Sequence, residues 1–135
     1  VNTATQDITI DVNNLAPSVP VDSDVTLNSV AVGAVAGTVV GVTGLSTDVA
    51  GGTITYSLTN DANGRFVINP TTGVVTVADG AVFNAADVSY SITVRASDGS
   101  LSSTGDFTIN VVNYGLTVDG NVDGDVAVDV NEGVA

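Results

Sequence analysis

Apolar and polar residues alternate with a period of two along almost the whole chain. Tyr90, Ile92, Val94 and Ala96 alternate with Ser91, Thr93, Arg95 and Ser97, and Phe107, Ile109 and Val111 alternate with Thr108, Asn110 and Val112. Ile54, Tyr56 and Leu58 interleave with Thr53, Thr55 and Ser57 in the same way. Successive side chains of a strand point to opposite faces, so this pattern predicts half-buried antiparallel strands with one face in a core. Strands are expected near 24–32, 37–43, 52–59, 65–68, 73–78, 88–97 and 105–113. Helical periodicity is scarce, and residues 80–87 offer at most a short turn.

The breaks between these runs carry turn chemistry. Asp61-Ala62-Asn63-Gly64, Asn69-Pro70-Thr71-Thr72-Gly73 and Asp98-Gly99-Ser100 carry Asn, Asp and Gly, which tolerate positive φ, and in the second Pro70 fixes a negative φ at its turn position. Asn13-Asn14-Leu15-Ala16-Pro17-Ser18 reads as a linker, with Pro17 ending what precedes it and stiffening the joint. Seven short strands and frequent turns predict an all-β fold, a seven-stranded antiparallel Greek-key β-sandwich of immunoglobulin-like type. Phe66, Tyr56, Phe107 and Tyr90, with the Val and Ile stripes, are its expected core.

One strand pattern occurs twice. Asp7-Ile8-Thr9-Ile10-Asp11-Val12-Asn13-Asn14 returns 99 positions later as Asp106-Phe107-Thr108-Ile109-Asn110-Val111-Val112-Asn113, with five of eight residues identical. A fainter echo links Val30-Ala31-Val32-Gly33 to Val130-Asn131-Glu132-Gly133. A tandem array repeats its closing strand and linker in this way, whereas a single domain has no reason to. The expected organisation is therefore the last strand and linker of one repeat in residues 1–17, a complete repeat in 18–113, and the acidic start of another in 114–135.

Charge narrows the chemistry. Fifteen acidic side chains face only Arg65 and Arg95, a formal net charge of −13. Such a surface repels phosphate backbones and anionic membranes, which argues against nucleic acid or a lipid surface as partner. With no His, Cys or Lys, the usual general bases, thiol nucleophiles and Schiff-base amines are missing. Zinc and similar metals lose their preferred ligands as well, and the oxygen-rich remainder suits calcium. A single Glu at position 132 and turn-borne Asp residues offer no acid/base pair for glycoside hydrolysis, so no enzyme is expected. No run approaches the ~20 apolar residues of a membrane span. Val1-Asn2-Thr3-Ala4-Thr5-Gln6 does not read as a signal peptide, so an export signal is expected elsewhere in a longer protein.

Several segments in order carry a resemblance. Gly37-Thr38-Val39-Val40, Ile54-Thr55-Tyr56-Ser57-Leu58, the run from Gly64-Arg65-Phe66 to Thr76-Val77, and Ile92-Thr93-Val94-Arg95-Ala96-Ser97-Asp98-Gly99 together resemble the cadherin repeat. The segments are most similar to the form found in the tandem extender repeats of large bacterial biofilm adhesins of RTX type. The F-x-I-x-x-x-T-G-x-V-x-V and V-x-A-x-D-G elements carry the match over about 100 residues. In that family calcium sits between successive repeats and stiffens the joint. The resemblance implies that Asp98 is the A-x-D ligand and that Asp11 and Asn13 are linker ligands. The pattern also departs from the family: Asn14 stands for an Asp, Leu15 for an Asn, and Val32 for an early Glu. Phe83-Asn84-Ala85-Ala86-Asp87 occupies the acidic-pair region, and Asn110-Val111-Val112-Asn113 is a linker without a carboxylate.

A second candidate lies near the C-terminus. Asp119, Asn121, Asp123 and Asp125 alternate with a glycine at the sixth position, like the opening of an EF-hand loop, but Val130 stands at the twelfth. The alternative is a turn leading into an acidic-faced strand through Val126, Val128 and Val130, and both readings stay open. Glu132 falls, by the echo, where the family's early Glu would be. Asp22 and Asp24 read as a solvated turn, Asp48, Asp61, Asp79 and Asp87 as turn residues, and Asp106 as an exposed strand end.

These readings predict a calcium-binding structural and adhesive module of a bacterial cell-surface adhesin, extracellular, whose partners are neighbouring repeats of the same chain. Self-association through the end segments is a further expectation. A terminal module binding sugar, peptide or ice is the alternative, though most of the six aromatics sit at core-facing positions and none is Trp.

Overall fold

The computed structural model describes residues 2–11 and 13–114. Eight strands form among them: β1 (Val21–Asp22), β2 (Ser29–Ala31), β3 (Val39–Leu45), β4 (Thr55–Asn60), β5 (Phe66–Ile68), β6 (Val74–Val77), β7 (Ser89–Ser97) and β8 (Ser102–Val112). They make two four-stranded sheets, in the orders β1-β3-β6-β5 and β2-β8-β7-β4. Neighbours are antiparallel except β2, which runs parallel to β8. The result is the expected Greek-key sandwich, with no helix among the described residues.

The count is eight strands rather than seven, and the reason lies in two aspartates. A single first strand was expected over 24–32, but the chain pairs at Val21–Asp22 with one sheet and at Ser29–Ala31 with the other. Between them Asp22 Oδ1 accepts the backbone N–H of Asp24 at 3.0 Å, and Asp24 Oδ1 accepts that of Thr26 at 2.9 Å. Side-chain carboxylates thus take donors that a ladder would use, and the strand breaks. The interruption lets the chain cross from one sheet to its partner.

The core follows the period-two reading. Val40, Val42, Phe66, Val75, Val77, Ile92, Val94 and Ile109 are almost fully buried, and Tyr56 nearly so. Each such Val or Ile contributes about 1.5–3 kcal/mol relative to exposure. Tyr90 and Phe107 pack at the edge of this cluster. Phe83, from the loop before β7, joins it as an unanticipated member: its ring centroid lies 5.6 Å from that of Phe66 and 5.7 Å from that of Tyr90. Two glycines seat β3 against the β5–β6 turn. Gly73 has φ +76°, and a Cβ there would collide with the Gly44 carbonyl, while Gly44 N–H donates to Gly73 O at 2.9 Å.

Residues 2–11 are exposed and lie outside any strand, with Ile8 and Ile10 78% and 80% accessible. The chain first becomes buried at Pro17. Ser103 Oγ donates to Pro17 O at 2.5 Å. Ser18 N–H donates to Thr47 O at 2.8 Å and Thr47 N–H to Ser18 Oγ at 3.0 Å. These bonds zip the linker to the loop after β3.

Candidate metal centre

That zipper ends one pole of the sandwich, where the linker, the β3–β4 loop and the β7–β8 turn meet. The β7–β8 turn is shaped by Asp98. Its Oδ1 accepts the backbone N–H groups of Ser100 at 2.8 Å and Leu101 at 2.7 Å, closing the Asp-Gly-Ser turn. Its Oδ2 accepts Asn14 Nδ2 at 2.8 Å, from a residue 84 positions away. These bonds, Leu101 and Ser100 foremost, hold the Asp98 carboxyl below the usual carboxylate range, with burial opposing and Asn14 adding to the effect. The carboxylate is therefore ionised at neutral pH.

A third segment arrives through Asp48. Its Oδ1 accepts Ala50 N–H at 2.8 Å and its Oδ2 accepts Gly52 N–H at 3.0 Å, an Asx turn that folds the loop back on itself. Gly52 is the meeting point. A Cβ on it would press into the Asp48 carboxylate and lie 2.9 Å from Asp98 Cβ. Asp48 and Asp98 thus meet across this glycine, and Asn14 reaches the Asp98 carboxylate from the linker.

This donor set suits calcium in kind and falls short of it in number. Calcium takes about 6–8 oxygens, whereas Asp48, Asp98 and the Asn14 carboxamide oxygen supply only part of that shell. No group of three or more acidic, His or Cys side chains is gathered among the described residues. Both carboxylates already accept backbone hydrogens and retain further lone pairs.

The expected ligands fare unequally. Asp98 sits at the pole as its motif implies. Asp11 and Asn13 are exposed, and neither hydrogen-bonds to Asp98; the contact falls to Asn14, a position where the sequence departs from the family pattern. Asp119, Asn121, Asp123, Asp125 and Glu132 lie outside the described residues. Asp48 was read as a turn residue and is one, yet the turn also delivers it beside Asp98. The signal for it was the Gly51-Gly52 pair close behind.

At the opposite pole the region in place of the acidic pair holds one carboxylate between Gly80 and Val88, that of Asp87, which accepts the Tyr90 hydroxyl. That contact raises the Tyr90 pKa above its ordinary value, chiefly because the phenol donates to Asp87. An open cleft of about 320 Å³ between β4 and β5 is lined by Tyr56, Leu58, Phe66, Ile68 and Pro70, with Asp61 its only carboxylate. It offers no acid/base pair.

The fold is a β-sandwich with the Asp48 and Asp98 carboxylates and the Asn14 carboxamide at one pole. Comparison with solved structures places it more closely: the fold is that of cadherin extracellular repeats. Drosophila N-cadherin EC1–3 matches with a TM-score of 0.57 and 24% identity over 77% of this chain and 35% of that one. Mouse clustered PcdhgC3 EC1–3 matches with 0.57 and 25%, over 75% and 34%. Chicken VE-cadherin EC1–2 gives 0.53 and 24%, over 78% and 54%. The chain thus spans between about a third and just over half of these multi-repeat fragments. No family model and no curated protein matches the sequence.

Proposed function

We propose that the chain is part of a calcium-binding tandem-repeat module of a bacterial cell-surface adhesin, giving reach and calcium-dependent rigidity outside the cell. Residues 18–113 form the complete repeat, 1–17 close the preceding one and 114–135 open the next. The observation that carries this reading is the Asn14–Asp98 contact, which ties the linker to the acidic turn at the pole where two repeats would meet. Calcium would be held by Asp98, Asp48 and Asn14, with Asp11 and Asn13 completing the shell from the linker. The bound ion would neutralise like charges at the joint and lock the linker's angle. The bacterial setting is supported by the sequence resemblance and the strongly acidic composition; extracellular repeats of the solved cadherins support the location.

The test is thermal melting of the chain in millimolar calcium against chelator, with Asp98→Ala alongside. A calcium-dependent rise in Tm that the variant loses supports the reading. An identical Tm in both conditions removes calcium from it.

A further inference from the structure

The pole opposite Asp98 is built differently, and Arg65 is its centre. Arg65 Nε donates to Val82 O at 3.1 Å and one terminal nitrogen donates to Ala62 O at 3.0 Å. The guanidinium carbon lies 4.6 Å from the centroid of the Tyr90 ring, within cation–π range. The ring itself packs edge-on against Phe83 at 5.7 Å and Phe66 at 6.2 Å. Arg65 O also accepts Ala78 N–H at 2.9 Å, and Val88 O accepts Val111 N–H at 2.9 Å, so both ends of the 78–88 loop are pinned to strands. Next to its second end, Asp87 accepts the Tyr90 hydroxyl.

One of only two cations in the chain is thus spent on two backbone carbonyls and an aromatic face, with no ion pair to an acid among the described residues. A guanidinium is planar, permanently charged and forked, which suits it to bridging two carbonyls that a flexible loop would otherwise leave to water. We propose that Arg65 is an organic clamp that holds this pole in place of a metal, so that calcium stiffens only the Asp98 end of the repeat. The inference rests on the calcium reading above for the Asp98 end alone; the clamp stands on its own contacts. A repeat built this way responds to calcium with polarity: one joint tightens and loosens with the ion, and the other end keeps its shape.

Hydrogen exchange read by mass spectrometry on the full chain separates the two ends, comparing wild type, Arg65→Gln and Arg65→Lys in calcium and in chelator. In wild type, chelator should speed exchange in 46–52 and 98–101 and leave 81–88 unchanged. Arg65→Gln should speed exchange in 81–88 about tenfold or more in both conditions, since it removes two charge-assisted hydrogen bonds. Arg65→Lys keeps the charge without the fork and should fall between. The clamp is overturned if chelator loosens 81–88 as much as 46–52, if Arg65→Gln leaves 81–88 unchanged, or if it speeds 92–97 equally and so acts on global stability. Calcium without effect at either pole sinks the calcium reading, and the Arg65 variants then still decide the clamp.

Discussion

Asn14 donates its side-chain amide hydrogen to Asp98 Oδ2 at 2.8 Å, joining the linker to a turn 84 residues further along. Both groups are exposed, so the bond alone is a weak tie, worth no more than about 1 kcal/mol. Its importance is positional. It brings an amide that carries an acceptor as well as a donor against a carboxylate that the Ser100 and Leu101 amides keep ionised. Rotating the carboxamide exchanges a hydrogen-bond donor for an oxygen ligand without moving the backbone.

Calcium should therefore stabilise the repeat by linkage. With the affinity usual for extracellular calcium modules, a dissociation constant of about 1 mM, raising calcium to ~10 mM adds about 1.4 kcal/mol. For a domain of this size that corresponds to a Tm rise of roughly 6–11 °C by scanning calorimetry. Asp98→Ala and Asp48→Ala should each abolish most of the rise. Asn14→Ala should shrink it, and Asp79→Ala, in a turn outside the pole, should leave it intact.

Gly52 offers a steric test of the same site. Its φ is not in the left-handed region, so the obstacle to a side chain is crowding by the Asp48 carboxylate and Asp98 Cβ. Gly52→Ala should cost about 1–3 kcal/mol, as overpacking does, and should push the two carboxylates apart. Denaturant melts should show the loss of stability, and the calcium-dependent shift should fall with it. Gly51→Ala, where a Cβ meets open space but φ is +84°, should lose stability through backbone strain while keeping its calcium shift.

Acid should weaken the fold in a defined window. Asp98 and Asp24 both have carboxyls held below the ordinary range, Asp98 by the Leu101 and Ser100 amides and Asp24 by the side chain and backbone of Thr26. A depressed folded-state pKa means that the unfolded chain binds protons first as pH falls. The associated stability is fully present above about pH 4 and is lost as pH drops through the lower folded values. Melting in chelator should be flat from pH 7 to pH 5 in this respect and fall below about pH 4. Asp24→Asn and Asp98→Asn should each make that acid limb shallower.

The sequence was most readable where one face of a strand is buried. In β7 and β8 the alternation of Tyr90, Ile92, Val94 and Ala96 with Ser91, Thr93, Arg95 and Ser97 predicted the observed facing, because the core admits only one register. It was least readable where side chains compete for the backbone. Asp22 and Asp24 break the first strand through local hydrogen bonds that a hydropathy pattern does not register. The nearness of Asp48 to Asp98 was equally hidden, since an Asx turn read from sequence does not say what the turn will pack beside. The place of Asp98 in the β7–β8 turn was legible in its Asp-Gly-Ser sequence, whereas the contact of Asn14 rather than Asp11 or Asn13 depends on where the linker is pinned. That is decided by Pro17 and Ser18, through contacts to Ser103 and Thr47.

The turn beneath Arg65 holds measurable strain. Ala62 has φ +57° and is followed by Asn63 at +58° and Gly64 at +78°, a left-handed run in which alanine is the residue least suited to its place. The left-handed region costs an L-alanine about 1–2 kcal/mol, partly because its Cβ approaches the following carbonyl. The turn persists because it is held on several sides. Asn60 Oδ1 accepts Ala62 N–H at 3.1 Å, Asp61 Oδ1 accepts Gly64 N–H at 2.9 Å, and Arg65 donates to Ala62 O at 3.0 Å. Ala62→Gly removes the steric cost and adds about 0.5–1 kcal/mol of unfolded-state entropy, so it should stabilise by up to about 1 kcal/mol. That is a Tm rise of a few degrees, checked by calorimetry. In an Arg65→Gln background the gain should be smaller, because the strained residue has then lost a donor that held it in place and can relax, and a double-mutant cycle would read the difference as coupling between the two positions.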